Sequence, residues 1–310
     1  MTNMEKIDVV IVNWNTGPFL SECLFSLVNF GDKLIQNIIV VDNLSSDDSL
    51  ENIPNHSKIR LVRNDANLGF SKGCNIGANY SESDYILFLN PDARIYVDTL
   101  EVCLNFYEKK ENNNIGILGV KLEDEKGEIN SRCSRFPSTS NIFSHALGLD
   151  KLFPSLGSFM IEFDHQSTRF VDQIIGAFFM VRKETYDQLG GFDERFFLYM
   201  DEVDFSFRAK KLGYKSIYLS EAEAFHYGEV SSSKVKSRRL FYSLRSRIQY
   251  ANKHFSKIDL IIVMLLTLLI EPLTRIIGCI IYLNITNLKN TIMAYRMLYI
   301  WMLEKIIPKE

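Results

Sequence analysis

Five cysteines, Cys23, Cys74, Cys103, Cys133 and Cys279, are all the thiols in the chain, and none stands at a paired or metal-ligand spacing. That excludes a disulfide framework and a cysteine-based metal cluster, and it predicts buried free thiols in a reducing compartment. Also missing are the Gly-Lys-Ser/Thr ending of an NTPase phosphate loop and the Gly-x-Gly-x-x-Gly of a dinucleotide fold, which weakens hydrolase and dehydrogenase readings. No internal repeat or low-complexity tract is present. The N-terminus has no basic segment followed by an apolar core, so no signal peptide is expected. No apolar run reaches the ~20 residues of an ordinary membrane span. The longest, 258–270, contains Asp259 and Thr267 and stops at Glu271-Pro272 before apolar residues resume at 276–283.

Acid is absent from one region. Residues 230–258 carry eight Lys+Arg and no Asp or Glu, whereas residues 1–229 carry 22 Lys+Arg against 34 Asp+Glu. The net charge of −3 hides this asymmetry. A basic collar between an acidic body and an apolar tail predicts contact with an anionic surface or phosphate groups. Its interleaved aromatics also fit nucleic acid, but the apolar tail that follows favours anionic headgroups, and no nucleic-acid partner is expected. Segment 258–310 is expected to form two amphipathic or re-entrant helices on a membrane surface, with Glu271 and Arg275 paired on one helix face.

What is present is an alternation of short apolar strands (7–12, 38–41, 59–62, 85–89, 115–120) with helical stretches (18–30, 67–80, 98–110). Such alternation predicts an α/β fold, a mostly parallel sheet with helices on both faces. Three strands run into polar turns: Asn13-Trp14-Asn15, Asp42-Asn43 and Asn90-Pro91-Asp92. Open α/β sheets bind ligands at that edge. A carboxylate there, Asp92, suits a divalent cation held against a diphosphate. Ser71 reads as a helix N-cap, and the glycines around it (Gly69, Gly73, Gly77) suit close approach of backbone to a ligand or a neighbouring helix. Segment 123–170 reads as a long functional loop, 171–181 as one strand, 201–212 as a helix closed by Gly213, and 216–219 as a last short strand.

The chemistry-bearing residues are few. Asp201, Glu202 and Asp204 begin the 201–212 helix, where its dipole favours acids and where one of the first two can face a reacting hydroxyl as general base. Asp204 is four residues from Arg208 and suits a structural pair. His226, between aromatics, reads either as a satisfied core residue or as a metal or diphosphate ligand.

Taken in order, Val-Val-Ile-Val-Asn-Trp-Asn (9–15), Val-Val-Asp-Asn-Leu-Ser-Ser-Asp (40–47), Asn-Leu-Gly-Phe-Ser-Lys-Gly-Cys-Asn (67–75), Leu-Asn-Pro-Asp (89–92), the Gly-Gly-Phe-Asp-Glu to Met-Asp-Glu-Val-Asp-Phe stretch (190–205) and His226 resemble inverting glycosyltransferases of family 2, in the bacterial rhamnosyltransferase-like branch. The resemblance spans about residues 7–255. It implies a GT-A fold, a nucleotide-sugar donor (dTDP- or UDP-linked) and Mg2+ or Mn2+. By position it makes Asn13, Trp14, Asn15, Asp42, Asn67, Gly69, Lys72, Asn75 and Asn90 donor-binding residues, with Asp92 and His226 on the metal. Glu202 aligns with the catalytic base, with Asp201 in contention because the family's Glu-Asp order is reversed here. Asn90 replaces the first acid of the family's DxD-like motif, leaving Asp92 as its one carboxylate.

The expected organisation is a catalytic domain over 1–229 (nucleotide part about 1–122, acceptor part about 123–229), a basic helical collar over 230–257 and apolar membrane-associated helices over 258–310. The expected function is transfer of rhamnose from dTDP-rhamnose to a saccharide acceptor on a lipid diphosphate, in surface polysaccharide assembly. The location expected is cytoplasmic, peripheral to the inner face of the cell membrane. A UDP-sugar transferase and a non-catalytic nucleotide-sugar-binding scaffold are the alternatives. The sequence sets no oligomeric state.

Overall fold

The computed structural model describes residues 6–129, 133–228 and 235–306. The boundary expected at 229–230 falls outside them. The chain forms two compact units. The first, residues 1–136, 163–197 and 201–231, holds the sheet; the second, residues 137–162, 198–200 and 232–310, is helical.

The sheet unit runs β1 (Ile7–Asn13), α1 (Phe19–Gly31), β2 (Ile35–Asp42), β3 (Ile59–Arg63), α2 (Phe70–Ala78), β4 (Tyr85–Leu89), β5 (Ala93–Ile95), α3 (Thr99–Tyr107) and β6 (Ile115–Glu123). The chain then passes through the helical α4 (Thr139–Leu147) and α5 (Leu149–Leu152) of the second unit. It returns for β7 (Arg169–Val171), β8 (Phe178–Arg182), α6 (Lys183–Leu189), α7 (Asp201–Lys211) and β9 (Lys215–His226).

Among the described residues, nine strands join in one sheet of order β3-β2-β1-β4-β8-β6-β9-β5, with β7 also on β9. Strands β1, β2, β3, β4, β6 and β9 share one direction, and β5, β7 and β8 oppose them. Strand order turns between β1 and β4, the switch point at which such sheets open a crevice. Period-2 alternation divides the core. Ile7, Val9 and Ile11 of β1 pack on one face with Leu20, Leu24 and Leu104. Val10 and Val12 pack on the other with Cys74, Phe192 and Phe205. Asp8, the one charge in β1, is buried and accepts from Ser81 Oγ (3.0 Å) and the backbone N–H of Glu82 (2.8 Å) and Ser83 (3.0 Å).

Several expectations change. Ser71 is not the N-cap of α2; Gly69 is, at φ 88°. The glycines admit a strand and a turn: a Cβ on Gly73 would meet Val12 Cγ1 at 2.8 Å, and one on Gly69 would meet the Phe197 carbonyl at 2.6 Å. The strand expected at 171–181 is two, because β7 pairs with β9 whereas β8 pairs with β4 and β6. The short strand at 216–219 is the first part of β9, which stays paired with β6 through a register shift after Val120.

The helical unit contains α4, α5, α8 (Lys236–His254), α9 (Lys257–Leu265), α10 (Glu271–Ile281) and α11 (Ile285–Ile306). The stretch read as a loop therefore supplies α4. A capping box closes its start, Ser138 Oγ accepting from Asn141 N–H and the Asn141 side chain from Ser138 N–H. The break expected at Glu271-Pro272 is also absent. Helices α9 and α10 run on as one 25-residue helix, Lys257–Ile281, through a π-helical turn at Leu266–Ile270. By length and composition it is the one described helix able to cross a membrane. Proline has no N–H for the carbonyl four residues back; here the Tyr299 hydroxyl donates to that orphan, Leu268 O, at 2.6 Å. Glu271 is buried against the Arg247 and Arg275 guanidiniums, Arg275 Nε donating at 2.8 Å.

Candidate functional site

The polar strand ends gather at one edge of the sheet because β1, β2, β4 and β9 point the same way. At the end of β1, Asn13 Nδ2 donates to Asp42 Oδ1 (2.9 Å), Ser45 Oγ (3.1 Å) and Ser49 Oγ (3.0 Å). Asp42 also accepts from Ser45 Oγ (2.6 Å) and Ser45 N–H (3.1 Å). Both residues are buried, so their first task is to fix the loops after β1 and β2. Asn15 has φ 54° and accepts from Ser46 N–H at 2.8 Å, and Trp14 beside it is partly exposed.

Asn43, the second residue of the polar turn after β2, ties this corner to α2. Its Nδ2 donates to Gly69 O (3.0 Å) and its Oδ1 accepts from Asn64 (2.8 Å). Asn67 turns the chain into α2 by accepting from Gly69 N–H at 3.0 Å. Lys72 is about half exposed, 3.9 Å from Glu194. Asn75, expected at the donor, is engaged by the protein itself. Its amide donates to Phe192 O (2.9 Å) and Glu194 Oε1 (3.1 Å) and accepts from Tyr186 Oη (2.7 Å) and Phe192 N–H (2.9 Å). All four hydrogen-bonding positions are occupied, three of them by the 190–194 turn and the fourth by Tyr186 of α6.

Asp92 and His226 meet because β5 pairs with β9, with Ala93 opposite His226 and Tyr227 N–H donating to Asp92 O at 3.0 Å. His226 Nε2 lies 3.4 Å from Asp92 Oδ1 and 3.5 Å from Asn90 Nδ2. Both members of the pair are buried, and His226 Nδ1 has no hydrogen-bond partner among the described residues. No group of three or more His, Cys, Asp and Glu suited to a metal occurs among the described residues. A carboxylate and an imidazole fit Mg2+ or Mn2+ only if substrate phosphates and water complete the coordination, as Mg2+ commonly requires. A clasp not evident in the sequence braces this pair: Glu22 Oε2 accepts from Arg94 Nη1 (3.1 Å) and Tyr227 Oη (2.9 Å), and Arg94 stacks on Phe225 at 4.2 Å.

The acids of α7 reach the same edge through the turn before β8. Asn90 N–H donates to Ala177 O at 3.0 Å, and a Cβ on the adjoining Gly176 would lie 4.0 Å from Glu202 Cβ. Asp201 is buried, with Ser71 Oγ 3.4 Å from its Oδ2, whereas Glu202 is partly exposed. Asp204 is fully buried and paired with Arg208 Nε at 2.7 Å, the structural role expected of it. Burial, and then the Asp201 carboxylate beside it, push Glu202 well above the usual carboxylate range. Burial raises Asp201 too, offset in part by a hydrogen bond from Glu202. Tyr199 and Met200, just before this pair in the chain, both have left-handed φ values, 66° and 63°.

The family described as Glycosyl transferase family 2 matches residues 8–190. The chain is 27% identical over 238 residues to the N-acetylglucosaminyl-diphospho-decaprenol L-rhamnosyltransferase of Mycobacterium tuberculosis, covering 72% of this chain and 76% of that protein. It is 27% identical over 206 residues to rhamnosyltransferase WbbL of Escherichia coli, covering 62% and 75%. Its fold matches a mannosyltransferase from Pyrobaculum calidifontis, solved with GDP-Man and Mn2+, at a TM-score of 0.57 and 14% identity, over 96% of this chain and 88% of that one.

Proposed function

The chain belongs to glycosyl transferase family 2, and from that membership we propose that it moves rhamnose from dTDP-rhamnose onto a saccharide carried by a lipid diphosphate, at the inner face of the cytoplasmic membrane. It is a glycosyltransferase with a GT-A fold, similar to rhamnosyltransferases. The observation that carries the proposal is the sheet edge itself. A carboxylate–imidazole pair forms between Asp92, in the turn from β4 to β5, and His226, at the end of β9, and a carboxyl pair with raised pKa values, Asp201 and Glu202, opens α7.

In this reading Asn13, Asp42 and Asn43 hold the loops that receive the nucleotide, and Trp14 and Asn15 meet it. Asp92 and His226 would hold the divalent cation. Bound there, that cation would supply charge neutralisation for the departing diphosphate. Glu202, more exposed than Asp201, takes the proton of the acceptor hydroxyl. The hydroxyl oxygen bonds to the anomeric carbon as the bond from that carbon to the diphosphate oxygen breaks, and configuration inverts. A raised pKa suits a base working near neutral pH. Asp201 keeps Glu202 basic without touching the acceptor. The basic collar and apolar helices serve to keep the enzyme at the lipid surface where such an acceptor resides.

A donor screen read by mass spectrometry, with a lipid-diphosphate-linked N-acetylglucosamine acceptor and Mg2+ or Mn2+, tests the proposal. The expected product is heavier by one deoxyhexose and forms from dTDP-rhamnose. Product formed from UDP-sugars alone would overturn the donor assignment, and no product from any donor would favour a binding scaffold.

A further inference from the structure

We propose that residues 143–161, at the end of α4 and beyond, form a second lipid-inserting element of the helical unit, entering the headgroup–acyl boundary of an anionic bilayer. The inference rests on the membrane reading above but assigns contact to a segment far in sequence from the apolar C-terminal helices.

Three observations converge. The first is exposure. Ile142 and Ala146 of α4 are buried with Ala251, Val263 and Leu266, so that face of α4 is occupied. One position further round, Phe143 and Leu147 are exposed, and beyond the helix Leu152 (73%), Phe153 (58%), Leu156 (48%) and Ile161 (68%) are too. An exposed apolar concentration of this kind marks an interaction surface rather than ordinary scatter.

The second is backbone satisfaction. The chain bearing these side chains bonds to itself: Phe153 N–H donates to Leu149 O (2.8 Å), Leu156 N–H to Phe153 O (2.9 Å) and Gly157 N–H to Pro154 O (3.0 Å). Exposed turns in water often bond in the same way, and a segment entering a low-dielectric layer needs such bonds, because each unsatisfied group there is costly.

The third is charge and anchorage. The helical unit as a whole carries fourteen Lys+Arg against six Asp+Glu. Like charge opposes pairing of two copies through this unit, while anionic headgroups attract it. Helix α4 is also fastened to the long apolar helix. Thr139 Oγ1 donates to Asp259 Oδ1 and Thr274 Oγ1 to Ala146 O, both at 2.8 Å, and His145 Nε2 lies 3.8 Å from Glu271. On that helix Ile258, Ile261 and Leu265 are themselves exposed. The partner with this chemistry is a bilayer surface.

The test uses the full chain and vesicles containing phosphatidylglycerol. With a tryptophan placed by F153W, brominated lipids are expected to quench emission well beyond the loss seen for the parent, whose tryptophans are Trp14 and Trp301. V97W, at an exposed position of the sheet unit, is expected to show no added quenching. The pair L152S/F153S is expected to lower vesicle partition by roughly tenfold or more, with unchanged circular dichroism. If the parent binds vesicles but F153W is not quenched and L152S/F153S binds as well as the parent, this inference fails and the broader membrane reading stands. If the parent does not bind vesicles, both fail. If L152S/F153S instead turns a dimer into a monomer, the surface belongs to a second copy and the inference is overturned.

Discussion

At the scale of single residues, the site depends on how two carboxyls share a confined space. Glu202 is raised by burial and then by Asp201, so the acid limb of kcat/KM is expected well above the ordinary glutamate value of 4.5. Asp201→Asn removes the neighbouring charge and the shared hydrogen bond, and should move that limb to lower pH; a limb that stays put would remove Glu202 as the titrating base. Glu202→Gln should lower turnover roughly a hundred- to ten-thousand-fold while leaving donor affinity near that of the parent. The stability sign follows from linkage. A carboxyl with a raised folded pKa holds a proton that the unfolded chain releases, so stability falls as pH rises from about 4.5 through the folded value. Glu202→Gln is therefore expected to raise the thermal midpoint at pH 8, measured by calorimetry. The order of polar strand ends placed Asn13, Asp42 and Asp92 at one sheet edge from sequence alone, because such edges follow strand direction, whereas Glu202 stood out through the acid run that opens α7. The contacts of Asn75 were not legible, because its motif neighbours give no sign that Tyr186 and the 190–194 turn, over a hundred residues away, take its four hydrogen bonds. The Glu22–Arg94–Tyr227 clasp escaped for the same reason: its members meet only through β5–β9 pairing and the placement of α1.

At the scale of elements, two features can be tested by substitution. Helix α2 lies so close to β1 that a Cβ on Gly77 would collide with Val10 Cγ1. Gly77→Ala should cost about 1–3 kcal/mol, as overpacking usually does, read as a lower denaturation midpoint with an unchanged slope. In the helical unit, Glu271 anchors α8 to α10. Burial alone would raise its pKa, but Arg247 and Arg275 beside it hold it down to about 2. The stability it contributes is complete above its ordinary value of 4.5 and lost as pH falls towards 2. Glu271→Ala leaves Arg247 buried without its counter-charge and should destabilise the unit by about 3–5 kcal/mol, measured by thermal unfolding. The Glu271–Arg275 pair was readable from its spacing of four; the third partner, Arg247 on α8, was not, since only packing brings α8 to α10. Pro272 likewise looked like a break because sequence gives the missing N–H but not Tyr299, which takes the orphaned Leu268 carbonyl. Helix α4 was hidden in a stretch whose apolar residues face outward as well as inward, which blurs the helical period, although Ser138 and Asn141 stood at capping-box spacing.

At the scale of the whole molecule, charge and hydrophobicity are segregated between the two units, and this sets how the protein should respond to salt. Attraction of the basic helical unit to anionic lipid is screened as ionic strength rises, with a Debye length of about 3 Å at 1 M. Burial of the exposed side chains of α9 and α10 is not weakened by salt in this way. A peripheral protein held by charge alone would leave the membrane in 1 M NaCl. This chain, with Ile258, Ile261, Leu265, Leu269 and Leu273 exposed along a continuous helix, should lose only part of its membrane fraction in salt and the rest in mild detergent. Deletion of 258–310 is a poor way to test the same point. It removes α9–α11 and uncovers Ile142, Ala146, Leu244 and Ile248, which pack on them, so loss of binding would be confounded with loss of folding. Polar substitution at Ile261 and Leu265 is cleaner, because both side chains are exposed. It should make the residual, salt-resistant fraction salt-sensitive in a flotation assay, without altering transfer to a soluble acceptor analogue. A salt-resistant fraction unchanged by I261S/L265S would show that α9 does not enter the lipid.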